Sequence, residues 1–322
     1  ITLALCLHTL GMLGIYAGVW WYDHVTHTLS ATIVAAAGYV VARAADETSE
    51  AIYLPPRFMF VFVLLFTLGL RVIWEVVEFS ARLGAELLGL DPVLVQYGLE
   101  DTLLDLLFDT LGAVLVAAFG TGLIADVVVS VADRFAERGE RRATDGIGRA
   151  RAGVAGLERV VRTGPTNARV AWLLTGGLGL AVVVGLVAGV VLPSLLVAVV
   201  VALAVVPALA TRNPTVMLPW PLLTAASLPV LGGVVARPWL ASGPITYLAV
   251  ATIALVVAVE LHLFTPVRMT PGFAVGFVVV TTVGVAGVWA VLRWVADLTL
   301  GTNLLLVPGR TDAEVEASLM VE

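Results

Sequence analysis

The chain has 322 residues, of which 60% are hydrophobic and 13% charged, and its mean hydropathy is +1.01. These values exclude a soluble globular protein, because apolar runs of about 20 residues recur along most of the chain. The net charge is −6, every basic residue is arginine, and the single cysteine, Cys6, excludes an internal disulfide. We therefore predict an all-α, polytopic helical membrane protein, and the acidic, lysine-free composition suggests a salt-adapted archaeal source.

The predicted transmembrane elements are about nine apolar segments, each long enough to cross a bilayer as a helix. The aromatic cluster Trp20–Tyr22 is typical of a membrane interface, and Pro56 is typical of a first helical turn. The predicted spans are Thr2–Val19, Val25–Arg43, Arg57–Ala81, Thr102–Val131, Ala168–Leu192, Pro193–Leu209, Val216–Val235, Pro244–Phe264 and Pro271–Leu298.

The polar segments between these spans predict that the chain has four parts, and they also predict its orientation in the membrane. Arginine-rich short loops stay on the cytoplasmic side, so Ala132–Asn167 is predicted to be cytoplasmic in a plasma-membrane protein. Alternation of the spans then puts Trp20–His24 and Gly84–Asp101 outside. The predicted parts are a four-helix membrane unit (1–131), an arginine-rich connector (132–167), a five-helix membrane unit (168–300) and an acidic tail (301–322).

Two of the predicted spans resemble each other. When Pro56 is aligned with Pro271, a gap-free register also pairs several phenylalanines, threonines, glycines and tryptophans. These include Phe62 with Phe277, Gly69 with Gly284 and Trp74 with Trp289. An even number of spans separates the copies, so we predict a degenerate parallel repeat, with chance agreement between two apolar helices as the alternative.

A row of aspartates opens the fourth predicted span. Asp101, Asp105 and Asp109 recur every four residues, which stacks them on one face of a helix. An ionisable side chain inside a bilayer is costly, and it usually faces a bundle interior, a cavity or a partner. Asp101 is predicted to be an ordinary interfacial residue, whereas Asp105 and Asp109 are candidate functional groups.

The two preceding spans carry ionisable groups towards the same, outer leaflet. Asp23 and His27 lie one helical turn apart on the second span, and Arg71, Glu75 and Glu78 share one face of the third. His24, next to the interfacial aromatic residues, is predicted to lie at the surface.

Three interpretations of this cluster remain open. It could bind a divalent cation through oxygen and imidazole ligands, and such a cation could activate water or bind phosphate. It could instead share and move protons or cations. In the third interpretation, Arg71 only neutralises Glu75 and the aspartates form a polar seam between helices. The candidate metal ligands are Asp23, His27, Glu75, Glu78, Asp105 and Asp109, and the candidate catalytic residues are Arg71, Glu75 and Asp109.

The three motifs together resemble those of the YjdF-type membrane proteins and, more distantly, the VanZ-like family. The motifs are Trp21-Tyr22-Asp23-His24-x-x-His27, Trp74-Glu75-x-x-Glu78-Phe79 and Asp101-x-x-x-Asp105-x-x-x-Asp109-Thr110-x-Gly112. The resemblance covers about Leu10–Phe119 and implies that the motif residues form one site. VanZ-like members are associated with glycopeptide tolerance at the cell envelope, although this chain has His24 where a basic residue commonly follows the aspartate, and Asp109 where asparagine is usual.

These features lead to a functional hypothesis with two alternatives. The leading hypothesis is cation-dependent binding or processing of an envelope or lipid-linked ligand. The alternatives are a non-catalytic accessory subunit of a membrane complex and a proton- or ion-coupled transporter. Expected partners are the lipid bilayer and a membrane protein or a second copy of the chain. Nucleic-acid binding has no support, and the sequence leaves open whether the protein is an enzyme.

Overall fold

The computed structural model describes residues 2–90, 98–123, 125–140, 164–189, 191–234 and 243–321. Within these residues it contains no strand, and its only sheet-like pairing is an antiparallel bridge between Tyr53 and Arg268. The all-α prediction is therefore confirmed. Besides a single helical turn at Tyr16–Gly18 and a π-helical turn described below, the helices are α1 (Thr2–Leu10), α2 (Trp20–Thr48), α3 (Pro56–Leu88), α4 (Leu99–Leu123), α5 (Ala125–Glu140), α6 (Pro165–Val187), α7 (Val191–Thr211), α8 (Trp220–Val234), α9 (Gly243–Phe264), α10 (Pro271–Leu300) and α11 (Asp312–Val321).

Among the described residues, five helices are long and apolar enough to cross a membrane. They correspond to the second, third, fourth, fifth and ninth predicted spans. Shorter apolar helical segments cover Thr2–Ile15, Val197–Thr211 and Leu248–Phe264. The structure thus supports a multi-span membrane protein, and the count of nine stays a prediction.

The first predicted span, Thr2–Val19, is not one continuous helix. After α1 the chain forms a π-helical turn (Gly11–Ile15) in which Gly14 adopts a φ of 107°, a backbone conformation that favours glycine. The Tyr22 hydroxyl donates a hydrogen bond to the Leu7 carbonyl at 2.8 Å, and Tyr16 lies 2.9 Å from His8. The break therefore lets the N-terminal segment fold back against the start of α2.

The fourth predicted span, Thr102–Val131, falls on α4 and the first residues of α5. Helix α4 is described as far as Leu123 and α5 from Ala125, and residue 124 lies outside the described residues. Of the predicted connector, residues 132–140 lie in α5 and residues 164–167 at the start of α6, while 141–163 fall outside the described residues.

The chain divides into two compact units. The first contains α2, α3 and α4, the part of α10 from Val280 onward, and α11. In it α2 packs along α4, and α3 packs against both. The second contains α6–α9, which pack around a core that includes Ala171, Met217, Leu218 and Leu223.

Glycines set the closest helix approaches in the first unit. A methyl group at Gly112 of α4 would lie 2.5 Å from the Thr28 carbonyl oxygen of α2, so only glycine fits there. Similarly, a methyl group at Gly69 of α3 would lie 2.9 Å from the Val280 carbonyl oxygen of α10. These contacts bring the backbone of α4 against that of α2, and the backbone of α3 against that of α10.

The ends of α3 and α10 are closed by local hydrogen bonds. Gly89 ends α3 in the left-handed conformation at φ 67°, and the amides of Gly89 and Leu90 bond the last carbonyls of the helix. Near the end of α10, the buried Asp297 carboxylate accepts hydrogen bonds from the Thr302 hydroxyl and from three successive amides, Leu304–Leu306. Asp297 therefore organises the loop that leads to α11.

Helix α11 packs against other helices of the first unit. Its Val315 packs in an apolar cluster with Leu99 and Leu103 of α4 and Trp294 of α10. The buried Glu316 carboxylate lies 3.0 Å from Arg82 near the end of α3.

Candidate functional site

The first turns of α2 place three ionisable groups close to α4. Helix α2 begins at Trp20 and contains Asp23 and His27, which are four residues and therefore about one turn apart. The Asp23 carboxylate Oδ1 lies 3.7 Å from the His27 imidazole Nε2. His24 is 6% exposed, so the prediction of a surface histidine is wrong. Its ring stacks on Phe108 of α4 with the centroids 4.6 Å apart, and this stacking explains the burial.

Helix α4 presents its aspartates to these histidines. The side chains of Asp105 and Asp109 are both buried. Asp105 lies 3.6 Å from His24 and 3.4 Å from His27, through different carboxylate oxygens. The Thr28 hydroxyl donates to the Phe108 carbonyl at 3.2 Å and holds the two helices in this register.

Arg71 of α3 completes one side of the cluster. Its Nε donates to Asp109 Oδ2 at 2.6 Å, and its Nη2 lies 2.5 Å from His27 Nδ1. A guanidinium can only donate, so His27 Nδ1 is the acceptor and the ring proton of a neutral His27 sits on Nε2. Arg71 therefore pairs with Asp109 and His27. These contacts do not include Glu75, the partner of Arg71 in the third interpretation above.

Glu75 and Glu78 extend from the same face of α3. Glu75 is 2% exposed, and its Oε1 is buried without a hydrogen-bond partner in the part of the chain that the structure describes. Glu78 is half-buried, one helical turn beyond Trp74. A buried polar atom without a partner is rare in proteins, and it often indicates an ion or water that satisfies it.

The structure brings the candidate ligands into two overlapping groups. His27, Glu75 and Asp105 each offer one donor atom, all within 4.8 Å of one another, and Asp23, His24 and Asp105 do the same. Metal–ligand bonds of about 2.1 Å put opposite ligands roughly 4.2 Å apart, so both groups need only small adjustments to bind a cation. Asp109 is absent from both groups and contacts Arg71 instead.

Two cavities adjoin these groups. One of about 340 Å³ is lined by His27, Arg71, Glu75, Glu78 and Asp105, among others. The other, of about 630 Å³, is wider open and is lined by residues that include His24, Trp20 and Glu100. Asp23 and Asp101 line both cavities. A small molecule could therefore reach either group of candidate ligands.

Most of the residues predicted for the site converge in the structure. Asp23, His27, Arg71, Glu75, Asp105 and Asp109 lie in one cluster, and Glu78 and Asp101 lie in the wall of its cavity. Sequence reasoning missed His24. Its spacing of three residues from His27 places both imidazoles on one side of α2, and that signal was available in the sequence.

Comparisons with known proteins support the family resemblance of the N-terminal part. Residues 1–126 match the model of a family described as "Predicted membrane protein (DUF2238)", which is the YjdF family. Residues 155–217 match a second model, "Domain of unknown function (DUF8268)". Neither a curated protein nor a solved structure matches the chain. The chain is thus a membrane protein whose first 126 residues are similar to the YjdF family, and this family match contains the whole acidic and histidine cluster.

Proposed function

We propose that the protein is an integral membrane protein whose three-helix cluster binds a divalent cation, and that the cation serves to bind or process an envelope or lipid-linked ligand. The observation that carries the proposal is the group formed by His27, Glu75 and Asp105. These residues come from three helices, their donor atoms lie within 4.8 Å, and Glu75 Oε1 is buried without a partner.

The donor set favours a transition metal over magnesium or calcium. Imidazole together with carboxylates suits zinc, manganese or ferrous iron, whereas magnesium and calcium prefer oxygen alone. The cavity of about 340 Å³ leaves room for a ligand beside the cation. Glu78 lines that cavity and is a further candidate ligand or acid/base group.

Asp109 and Arg71 fit the role of positioning residues in this proposal. When His27 Nε2 binds a cation, its Nδ1 carries the ring proton and needs an acceptor. Asp109 Oδ1 lies 3.7 Å from that nitrogen and has no hydrogen-bond partner among the described residues. Arg71 must then turn away from Nδ1, while its bond to Asp109 Oδ2 holds the carboxylate in place.

We also propose the finer topology predicted from the sequence. In it nine spans cross the plasma membrane, the connector 132–167 is cytoplasmic, and the cluster faces outward, within the four parts predicted above. The distribution of arginines supports this orientation.

The proposed repeat is supported by a reciprocal contact between α3 and α10. In the register that aligns Pro56 with Pro271, Leu65 corresponds to Val280 and Gly69 to Gly284. A methyl group at Gly69 would meet the Val280 carbonyl at 2.9 Å, and one at Gly284 would meet the Leu65 carbonyl at 2.7 Å. Corresponding residues thus make the same contact in both directions, as expected for two related parallel helices.

Elemental analysis of the gently purified full chain tests the proposal. We expect a stoichiometric transition metal in wild type and a large loss in Glu75→Gln. Glu86→Gln, on the exposed end of the same helix, should retain the metal and serves as the matched control. A metal-free wild type, purified without chelator and then offered manganese and zinc, would contradict the proposal and favour the transporter or accessory-subunit alternatives.

A further inference from the structure

We propose that the cluster binds a second divalent cation, between Asp23, His24 and Asp105, so that Asp105 bridges two cations. The inference rests on the proposed function, because the first cation is the one bound by His27, Glu75 and Asp105. It adds a second site whose own ligands are Asp23 and His24, with Asp105 shared between the two sites. It also assigns a role to His24, which the first site does not use.

The two oxygens of Asp105 face different histidines. Oδ1 lies 3.6 Å from His24 Nδ1, and Oδ2 lies 3.4 Å from His27 Nε2. Asp105 is the member that the two donor groups share, and within each group the donor atoms lie within 4.8 Å of one another. A carboxylate that directs one oxygen to each group has the arrangement of a bridging ligand in a two-metal centre.

Unpartnered atoms mark the second group independently of the first. His24 Nδ1 and Asp105 Oδ1 are both buried without a hydrogen-bond partner among the described residues. His24 is 6% exposed and Asp105 is 4% exposed, so bulk water does not satisfy these atoms. The stacking of His24 on Phe108 sets the plane of the ring, with an interplanar angle of 1°, and in that plane Nδ1 lies 3.6 Å from Asp105 Oδ1.

The charges in the cluster exceed what one cation balances. Six carboxylates lie in the cluster and the wall of its cavity, and Arg71 contacts one of them at 2.6 Å. When all six are ionised, Arg71 and one divalent cation balance only three of the negative charges, and unpaired buried charges are costly. The six are Asp23, Glu75, Glu78, Asp101, Asp105 and Asp109.

Each cation would face its own cavity. His24 lines the open cleft of about 630 Å³, whereas His27 and Glu75 line the cavity of about 340 Å³. Asp23 lies in the wall of both. The second cation would therefore be reached from the cleft and could exchange without passing the first.

Manganese titration of the full chain in detergent micelles tests the inference, with bound manganese counted by elemental analysis and spin coupling read by electron paramagnetic resonance. We expect two manganese ions per wild-type chain and a spin-coupled signal, because bridged ions lie about 4 Å apart. His24→Phe keeps a ring to stack on Phe108, and it should bind one ion with an uncoupled signal. Asp23→Asn should do the same, and Glu86→Gln should behave as wild type.

The possible results separate this inference from the proposed function. One ion in wild type, unchanged in His24→Phe, would overturn the second site and leave the first intact. Two ions in both wild type and His24→Phe would also overturn it, because the second ion would then lie elsewhere. No ion in wild type would overturn the proposed function and this inference together. If His24→Phe retains one ion and the double variant His24→Phe/Glu75→Gln loses it, the retained ion lies in the first site. That result would show that His24→Phe is folded.

Discussion

Arg71 contacts two members of the cluster at once, and its removal leaves a buried charge behind. The Asp109 side chain has no exposed surface, and Arg71 Nε lies 2.6 Å from its Oδ2. Removing one partner of such a pair lowers the free energy of unfolding by about 3–5 kcal/mol, whereas replacing both partners by apolar residues often leaves it nearly unchanged. We therefore expect the pair to contribute more to the specificity of helix placement than to net stability.

We predict that Arg71→Met lowers the free energy of unfolding by about 3–5 kcal/mol, because it leaves the Asp109 carboxylate buried and unpaired. The double variant Arg71→Met/Asp109→Leu should recover most of this loss. Chemical unfolding in detergent with chelator present measures both changes without a contribution from bound metal. A double variant that loses the sum of the two single effects would show that the residues act independently.

The burial of two polar residues depends on contacts that the local sequence does not show, although the spacing of His24 from His27 does place both rings on one side of α2. His24 follows Asp23 and an aromatic interface cluster, so its local sequence favours the surface. Its burial depends on Phe108, which lies far along the chain and becomes a neighbour only when α2 packs on α4. Asp297 lies outside the acidic cluster, and its contacts with the amides of Leu304–Leu306 depend on a loop conformation that hydropathy does not encode.

At the scale of elements, the contact between α2 and α4 sets the spacing of the site. Gly112 lies one turn beyond Phe108, and its missing Cβ lets the α4 backbone approach Thr28. Because Asp105 and Asp109 lie on the same stretch of α4, a change in this spacing moves both carboxylates away from His24 and His27.

We predict that Gly112→Ala destabilises the protein by about 1–3 kcal/mol, since the methyl group would meet backbone at 2.5 Å and one helix must shift. The same variant should weaken metal binding through the displaced aspartates. Gly84→Ala is the control, because Gly84 is helical with nothing within 4 Å, so alanine should be neutral or stabilising there. Unfolding and manganese binding of the two variants measure the difference, and equal behaviour would contradict the role of Gly112.

The start of α11 is a capping box. The Glu314 amide lies 3.3 Å from the Thr311 hydroxyl, and the Thr311 amide donates to the Glu314 carboxylate at 2.9 Å. Hydrogen bonds from the Thr311 amide and hydroxyl to the carboxylate lower the pKa of the exposed Glu314 carboxyl below its ordinary value of 4.5. A lowered pKa means that the stabilisation is complete above the unfolded-state pKa and is lost as the pH falls through the folded-state pKa.

We predict that Thr311→Ala destabilises α11 by about 1 kcal/mol and speeds hydrogen exchange in this helix several-fold at neutral pH. Glu314→Gln should also speed exchange at pH 7. Its difference from wild type should disappear as the pH falls below the lowered pKa of Glu314, because both side chains are then neutral. Comparison at each pH cancels the intrinsic exchange rate, and a difference that persists in acid would contradict the assignment.

For the whole molecule, the proposed repeat pairs the acidic residues of α3 with residues of α10 that lack a carboxylate. In the aligned register Glu75 corresponds to Ala290 and Glu78 to Arg293. Ala290 is buried in the apolar cluster with Leu99, and the Arg293 guanidinium lies 5.8 Å from the centre of the Trp289 ring. These residues serve packing, so α10 acts as a structural partner of α3 rather than a second binding helix.

Hydropathy and spacing predicted the helical class and most of the residues that converge in the cluster, because both depend on local periodicity. Asp101, Asp105 and Asp109 share a face whatever the rest of the chain does. The break at Gly14 was not predicted, since the apolar run around it reads as one continuous span and the turn depends on a positive φ.

The orientation of the molecule decides which compartment supplies the ligand, and it is open to a direct test. We first replace the native, exposed Cys6 by serine and then introduce single cysteines at Asp91 or Asp145, in the predicted outer loop and the cytoplasmic connector. In intact cells a membrane-impermeant maleimide should label Asp91→Cys and leave Asp145→Cys unlabelled until the membrane is opened. The expectation follows from the arginine-rich connector, which the positive-inside rule keeps in the cytoplasm. The reverse pattern would place the carboxylate and histidine cluster on the cytoplasmic side, where an envelope ligand could not reach it, and would require a cytoplasmic source for its ligand.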